Sequence, residues 1–199
     1  MKVLRRFGLL APLAALSLAG CGLNSVPTAE EQVNAKWGVL QADYQRRADL
    51  IPNLVRTVER YAQQERTVLT EVTNARARAT SIQLSPADLS DPAKVQQFEQ
   101  AQSQLSGSLG RLLASFEAYP DLKSNQNFLA LQDQLEGSEN RINVSRRDYN
   151  EAVRSYNTTI RTFPDAIGAK IFYGAKPKVP FEAAAGSQNA PTVDFGNAS

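Results

Sequence analysis

The chain has 199 residues, 42% of them hydrophobic, with 22 basic and 20 acidic side chains, a single cysteine and no histidine. One thiol cannot close an intramolecular disulfide. Without histidine, both the commonest metal ligand and the usual partner of a serine or cysteine nucleophile are missing, and a zinc site would have only carboxylates left to draw on.

The first element is Met1 to Gly20. Lys2, Arg5 and Arg6 precede an uncharged run from Phe7 to Ala19 that ends in small residues, the pattern of a secretory signal. The run is shorter than the roughly 20 apolar residues a membrane-spanning helix needs, and Pro12 in its middle argues against a buried core helix. "LAGC", Leu18 to Cys21, is similar to the bacterial lipobox, in which the cysteine becomes the first mature residue and carries acyl chains such as palmitate. Small Ala19 and Gly20 suit a peptidase cleft, and several acyl chains hold a protein on a bilayer far better than one. Gly22, where an aspartate would retain the protein at the inner membrane, favours the periplasmic side of an outer membrane if the cell is Gram-negative. Cleavage after residue 20 removes three cations and no acid, leaving 19 basic against 20 acidic residues. Nucleic-acid binding, which needs a basic face, is therefore excluded.

Residues 21–27 read as a tether, with Gly22 to Pro27 reaching at most about 20 Å when extended. Thr28 and Glu31 have the spacing of a capping box. Beyond them an apolar stripe runs through Val33, Trp37, Leu40, Tyr44, Ile51, Leu54, Val58, Tyr61, Val68, Val72, Ala75 and Ala79, interrupted by Arg47 and Glu65. Because the phase is kept across Pro52, the stripe predicts one long helix from Ala29 to Ser81 kinked at Pro52. The alternative is a break there into two antiparallel helices. Gln83 to Asp91 reads as a loop. A second helix starts at Pro92 with Asp91 as its cap, carries Val95, Phe98, Gln102, Leu105, Leu109, Leu112, Phe116 and Tyr119 on one face, and ends at Pro120. A third runs from Leu122 to Thr162 with Phe128, Leu131, Leu135, Ser138, Ile142, Ser145, Tyr149, Val153, Tyr156 and Ile160 on its stripe. Such stripes predict an all-α, up-and-down bundle of three long helices, or four if the first breaks, packed at shallow angles as in a coiled coil. The segment from Ile167 to Phe181 is expected to fold back onto the bundle, which spans 28–182. Residues 183–199, rich in Ala, Gly, Ser and Asn, are expected to be disordered.

Three stretches, Tyr44–Glu65 (YQRRADLIPNLVRTVERYAQQE), Glu117–Ile142 (EAYPDLKSNQNFLALQDQLEGSENRI) and Ser145–Pro164 (SRRDYNEAVRSYNTTIRTFP), together resemble the LemA family. The resemblance covers Val33 to Phe181 and implies a helical bundle held outside a bacterial membrane, with no enzymatic activity established for the family. Many members keep an uncleaved N-terminal anchor, and this sequence departs from them by its lipobox.

The strongest candidate for chemistry within the bundle is a polar notch formed by Arg46, Arg47, Glu139, Asn140, Arg146 and Arg147, with Asn150 and Asn157 near it in sequence. Arg47 falls on the apolar stripe, and a buried guanidinium needs a carboxylate such as Glu139. The preferred reading is a structural ion pair; an anion-binding notch is the alternative. Tyr149-Asn150 and Tyr156-Asn157 repeat at seven residues, with both tyrosines assigned to the core and the asparagines to a neighbouring helix. These observations predict a lipid-anchored envelope protein with no cofactor, acting without catalysis as an interaction or scaffold module for a membrane-associated protein partner. A carboxylate-dependent hydrolase or a binder of small anions is the rival.

Overall fold

The computed structural model describes residues 24–61 and 65–182. The signal segment 1–20, Cys21, the first tether residues and the 183–199 tail lie outside them. The helices are α1 (Ser25–Val58), α2 (Arg66–Ser81), α3 (Pro92–Ser115), α4 (Pro120–Lys123), α5 (Gln126–Thr159) and α6 (Asp165–Gly168), the last continuing into a π turn, Ala169–Tyr173. Among the described residues there is no strand, and no helix is long and apolar enough to cross a membrane.

Side-chain pairs fix the helix directions. Lys36 with Asp148, Asp43 with Ser145 and Arg47 with Glu139 join α1 to α5 head to tail. Gln102 with Ala79, and Arg111 with Glu71, do the same for α2 and α3. The result is an up-and-down bundle of four long helices, all-α as the stripes require.

The bundle has four long helices, but not through the alternative of a break at Pro52. α1 passes through Pro52 without interruption and ends at Val58. The helix predicted to reach Ser81 is not continuous, because α2 begins at Arg66 and runs back along α1. Arg76 Nε donates to the Ala48 carbonyl at 2.7 Å. In one straight helix these residues, 28 apart, would be separated by about 42 Å at 1.5 Å per residue. Proline has no N–H to give the carbonyl four residues earlier, which here is that of Ala48. The orphaned acceptor is taken by a guanidinium from the neighbouring helix. The chain therefore keeps α1 helical across Pro52 and uses the freed carbonyl to dock α2.

Two other boundaries shift. Thr28 is not the helix cap: its hydroxyl donates to Asn24 O at 2.7 Å within the first turn. The helix begins at Ser25, so residues 25–27 belong to it and not to the tether. Buried Val26 and Ala29 extend it toward the N-terminus, and Pro27 is tolerated there because the first turn's N–H groups have no intrahelical acceptors. At the other end of the bundle, the predicted start at Leu122 is only the short α4. α5 is capped by Asn125, whose side chain accepts from Asn127 N and Phe128 N, and stops at Thr159 rather than Thr162. Asp91 caps α3 as expected, accepting from Ala93 N and Lys94 N.

The core falls into two apolar clusters. One gathers Val33, Trp37, Leu40, Tyr44, Phe98, Tyr149, Tyr156 and Phe181. The other gathers Ile51, Leu54, Val58, Val72, Leu105, Leu112, Phe116, Phe128 and Leu135. Trp37, Tyr44, Phe128, Leu135, Tyr149 and Tyr156 are all buried, as their stripes predict. Val179 and Phe181 return to the first cluster, but Ile171, Phe172 and Tyr173, expected with them, are exposed. The extended residues after Gly174 reach the bundle, and of the turn before them Ala169 is buried in the first cluster while Ile171, Phe172 and Tyr173 stay exposed.

The Pro52–Arg76 relation is open to a double-mutant cycle. Arg76→Ala orphans a partly buried carbonyl and should cost about 1–3 kcal/mol. Pro52→Ala restores an N–H to that carbonyl, so in the Pro52→Ala background the Arg76→Ala cost should shrink clearly in urea unfolding. Equal costs in both backgrounds would show that Ala48 O does not couple the two sites.

Candidate functional site

Arg47 sits between the two clusters, one turn after Tyr44 and one before Ile51, and only 1% of it is exposed. Its NH1 donates to Glu139 Oε2 at 2.8 Å and to Ser106 Oγ at 2.6 Å, and its NH2 to Gln102 Oε1 at 2.7 Å. The guanidinium also lies over the Tyr44 ring, 5.4 Å from its centroid. Gln102 Nε2 in turn donates to Ala79 O at 3.2 Å. One buried cation thus connects α1, α3 and α5, and through Gln102 reaches α2.

Beside this layer a groove of about 320 Å³ opens to solvent, lined among others by Tyr44, Arg47, Glu99, Glu139, Arg146 and Glu182. Arg146 forms the second half of the site. It donates to the Glu182 carbonyl, lies 3.7 Å from Glu99 Oε1 and stacks its guanidinium over Phe181. Two guanidiniums face three carboxylates, so the groove is not an anion site by charge. Burial raises the Glu99 carboxyl above its ordinary value, against the N–H of Glu182 and the charge of Arg146, which lower it. Burial likewise pushes the Tyr44 hydroxyl up to about 12. A phenol that reluctant to ionise, beside carboxylates already engaged by donors, suits packing better than proton transfer.

Of the sequence candidates, Arg47, Glu139 and Arg146 meet at the groove. Arg46, Asn140 and Arg147 are exposed and do not line it; Arg147 Nε turns back to Asn143 O on its own helix. Sequence reasoning missed Ser106, Glu99, Glu182 and the function of Gln102. Gln102 did carry a signal, as an amide on an otherwise apolar stripe. Glu99 and Glu182 carried none, since their partners are far away in sequence.

The repeated Tyr-Asn pairs have a specific use. Asn157 exchanges two hydrogen bonds with the backbone of Lys178, at 2.8 and 2.9 Å, and Asn150 exchanges two with Phe181, both 2.8 Å. Tyr149 donates its hydroxyl to Val179 O at 3.1 Å. Seven helical residues rise about 10 Å, and three extended residues cover about the same length. The asparagines are therefore spaced to grip residues 178 and 181 of a strap running back along α5. They bind this strap, not the neighbouring helix expected. Lys178 adds contacts to Glu30 and Pro86 O, both at 3.0 Å, and Phe181 stacks on Trp37. Among the described residues no Asp, Glu or Cys grouping could hold a metal ion.

The geometry can be tested at the buried pair and at the groove wall. Arg47 is buried while the Glu139 side chain is 44% exposed, so deleting the acid strands the cation. Glu139→Ala should cost about 2–3 kcal/mol, less than the 3–5 typical of a fully buried pair, and adding Arg47→Met should recover most of it. A double variant no more stable than Glu139→Ala would contradict the stranded charge. At the groove wall the test is pH. A carboxyl raised in the folded state stabilises the fold below its unfolded pKa, and that stability is lost as pH rises through the folded value. Glu99→Gln keeps an acceptor for Glu182 N, so it should abolish this loss and leave the protein at least as stable as its parent at pH 7. Unfolding curves from pH 4 to 8 would check this, and an unchanged slope would overturn it.

Comparison with known proteins agrees with this architecture. The chain is 25% identical over 140 residues to Protein LemA of Metamycoplasma hominis, covering 70% of this chain and 60% of that one. It is 27% identical over 157 residues to Magnetosome proteins MamQ 1 and MamQ 2 of Paramagnetospirillum magneticum, covering 71% of this chain and 58% of theirs. It thus spans about three fifths of the length of these curated relatives. The LemA family model matches residues 36–195, and the chain belongs to the LemA family.

Proposed function

We propose that the protein is a membrane-tethered bacterial envelope lipoprotein whose bundle works as a non-catalytic interaction module. The observation that carries this reading is the use made of the interior polar groups. Arg47 directs its terminal donors to Glu139, Ser106 and Gln102, Arg146 is held by Glu99, Glu182 and Phe181, and Asn150 and Asn157 hold the strap. These contacts are structural, and recognition is left to the outer faces. Anchoring rests on Leu18 to Cys21, with the acylated cysteine as lipid handle. It also fits a bundle that begins at Ser25, because a three-residue link from Cys21 to Asn24 spans only about 10 Å. The partner this arrangement suits is itself membrane-associated.

Cys21→Ser should abolish lipid labelling and leave a precursor retaining residues 1–20, and normal labelling of that variant would refute the anchor. Arg60 is exposed just beyond the far end of α1, so Arg60→Glu should change stability by no more than about 0.5 kcal/mol while weakening photo-cross-linking to a membrane partner. Turnover of a hydrolase substrate by residues 22–199, abolished by one carboxylate substitution in a folded protein, would replace the module with an enzyme.

A further inference from the structure

We propose that an exposed apolar rim formed by Phe163, Ile167, Ile171 and Phe172 inserts into the lipid surface and seats the N-terminal end of the bundle on the membrane. These side chains are 82%, 52%, 69% and 67% exposed, a concentration of large apolar groups in ten residues that a bundle with two filled clusters does not need. Singly exposed apolar residues are ordinary; a contiguous group marks a contact surface.

The fold determines which surface this is. The up-and-down course brings the start of α1, the α2–α3 connection and the segment after α5 to one end. Ser25 Oγ, in the first turn of α1, donates to Asp165 Oδ1 at 2.6 Å, within the segment that carries the rim. The rim therefore lies beside the point where the chain enters from Cys21, three residues before Asn24. This step rests on the lipid-anchor reading, which puts that end within about 10 Å of the anchored residue. Charge agrees: residues 161–178 hold Arg161, Lys170, Lys176 and Lys178 against a single acid, Asp165. Lys178 is taken by Glu30, whereas Arg161, Lys170 and Lys176 are exposed. Apolar side chains flanked by cations are the composition of an interfacial contact with anionic lipid. The turn is also held firmly enough to present them: Ala175 N donates to Ala169 O at 3.0 Å, Gly174 reverses the chain at φ 54°, and Asn157 fixes Lys178 immediately beyond.

The full chain isolated from its own membranes, reconstituted in phosphatidylethanolamine–phosphatidylglycerol vesicles, tests the rim by tryptophan fluorescence. Trp37, the one native tryptophan, is buried and serves as background. Phe172→Trp places a reporter on the rim, and Val39→Trp places a control at an exposed position of α1 about 21 Å along the axis from Ser25. The rim indole should shift to the blue on vesicle binding, lose intensity when the acyl chains are brominated, and do so more strongly as phosphatidylglycerol increases; the control indole should do neither. A chain that sediments with vesicles while its rim indole stays open to acrylamide keeps the anchor and overturns the rim. Quenching of both indoles means that the bundle lies flat, which also overturns it, as does concentration-dependent shielding of the rim indole without vesicles, the mark of a second copy. Bromine quenching of the rim indole in protein whose Cys21 carries no lipid supports the rim and refutes the lipid anchor. No association with vesicles at all refutes both.

Discussion

The bundle is organised by a single buried cation. At the Arg47 position an aliphatic residue would have continued the stripe from Tyr44 to Ile51 and merged two apolar clusters into one. The guanidinium instead imposes a polar layer whose acceptors come from α3 and α5, and from α2 by way of Gln102. Heptad-like stripes alone permit the helices to slide past one another by a turn with little change in apolar burial. Sliding α1, α3 or α5 by one turn would pull an acceptor from the guanidinium and strand a charge away from water, at a cost of about 3–5 kcal/mol. Register is therefore set at the layer, and the apolar clusters on either side fill the space it defines.

The same logic appears at the strap. A segment of extended chain laid against a helix has no intrinsic partner for its backbone groups. Asn150 and Asn157 each supply both a donor and an acceptor to the strap's backbone, at Phe181 and Lys178. An asparagine can do this because its amide carries both functions. Its neighbours Tyr149 and Tyr156 fill the core beneath. The strap then delivers Phe181 to a ring cluster with Trp37, Phe98 and Tyr149, the centroids 5.1–6.1 Å apart, and so completes the first cluster with residues distant in sequence.

How far this was legible in the sequence varied with the range of the interaction. The stripes, the Asp91 cap and the buried positions of α3 and α5 were legible because they depend on periodicity and on neighbours within one turn. The end of α1 was not. Residues 59–65, ERYAQQE, contain neither glycine nor proline, and the stripe's phase survives the reversal because both arms of the hairpin must face one core. Pro52, the one conspicuous breaker, turned out to be accommodated by Arg76, a contact invisible without the fold. Within the groove, Arg47 was legible as a buried charge that needs an acid, with Glu139 one that could supply it. Arg46, Asn140 and Arg147 were included by adjacency in sequence, which on a helix turns a side chain about 100° away from its neighbour.

The two ends of the bundle are built differently, and the difference bears on how such a module would work. The end near Ser25 is tied by the strap, by Lys178 to Glu30 and Pro86, by Trp37 Nε1 to Leu84 O, and by Ser25 to Asp165. The far end, around α4 and the end of α1, is closed by buried Val58, Phe116, Leu122 and Phe128 and by two polar ties, Tyr119 to Glu65 and Asn125 to Tyr61. α1 carries that end about 50 Å from Ser25, at 1.5 Å per residue over its 34 residues. Under the anchoring proposed for the Ser25 end, a recognising surface at this tip would lie well clear of the lipid headgroups. A partner would then have to project from the membrane by a similar distance to meet the tip, or else bind the long outer faces of α1 and α5 nearer the base.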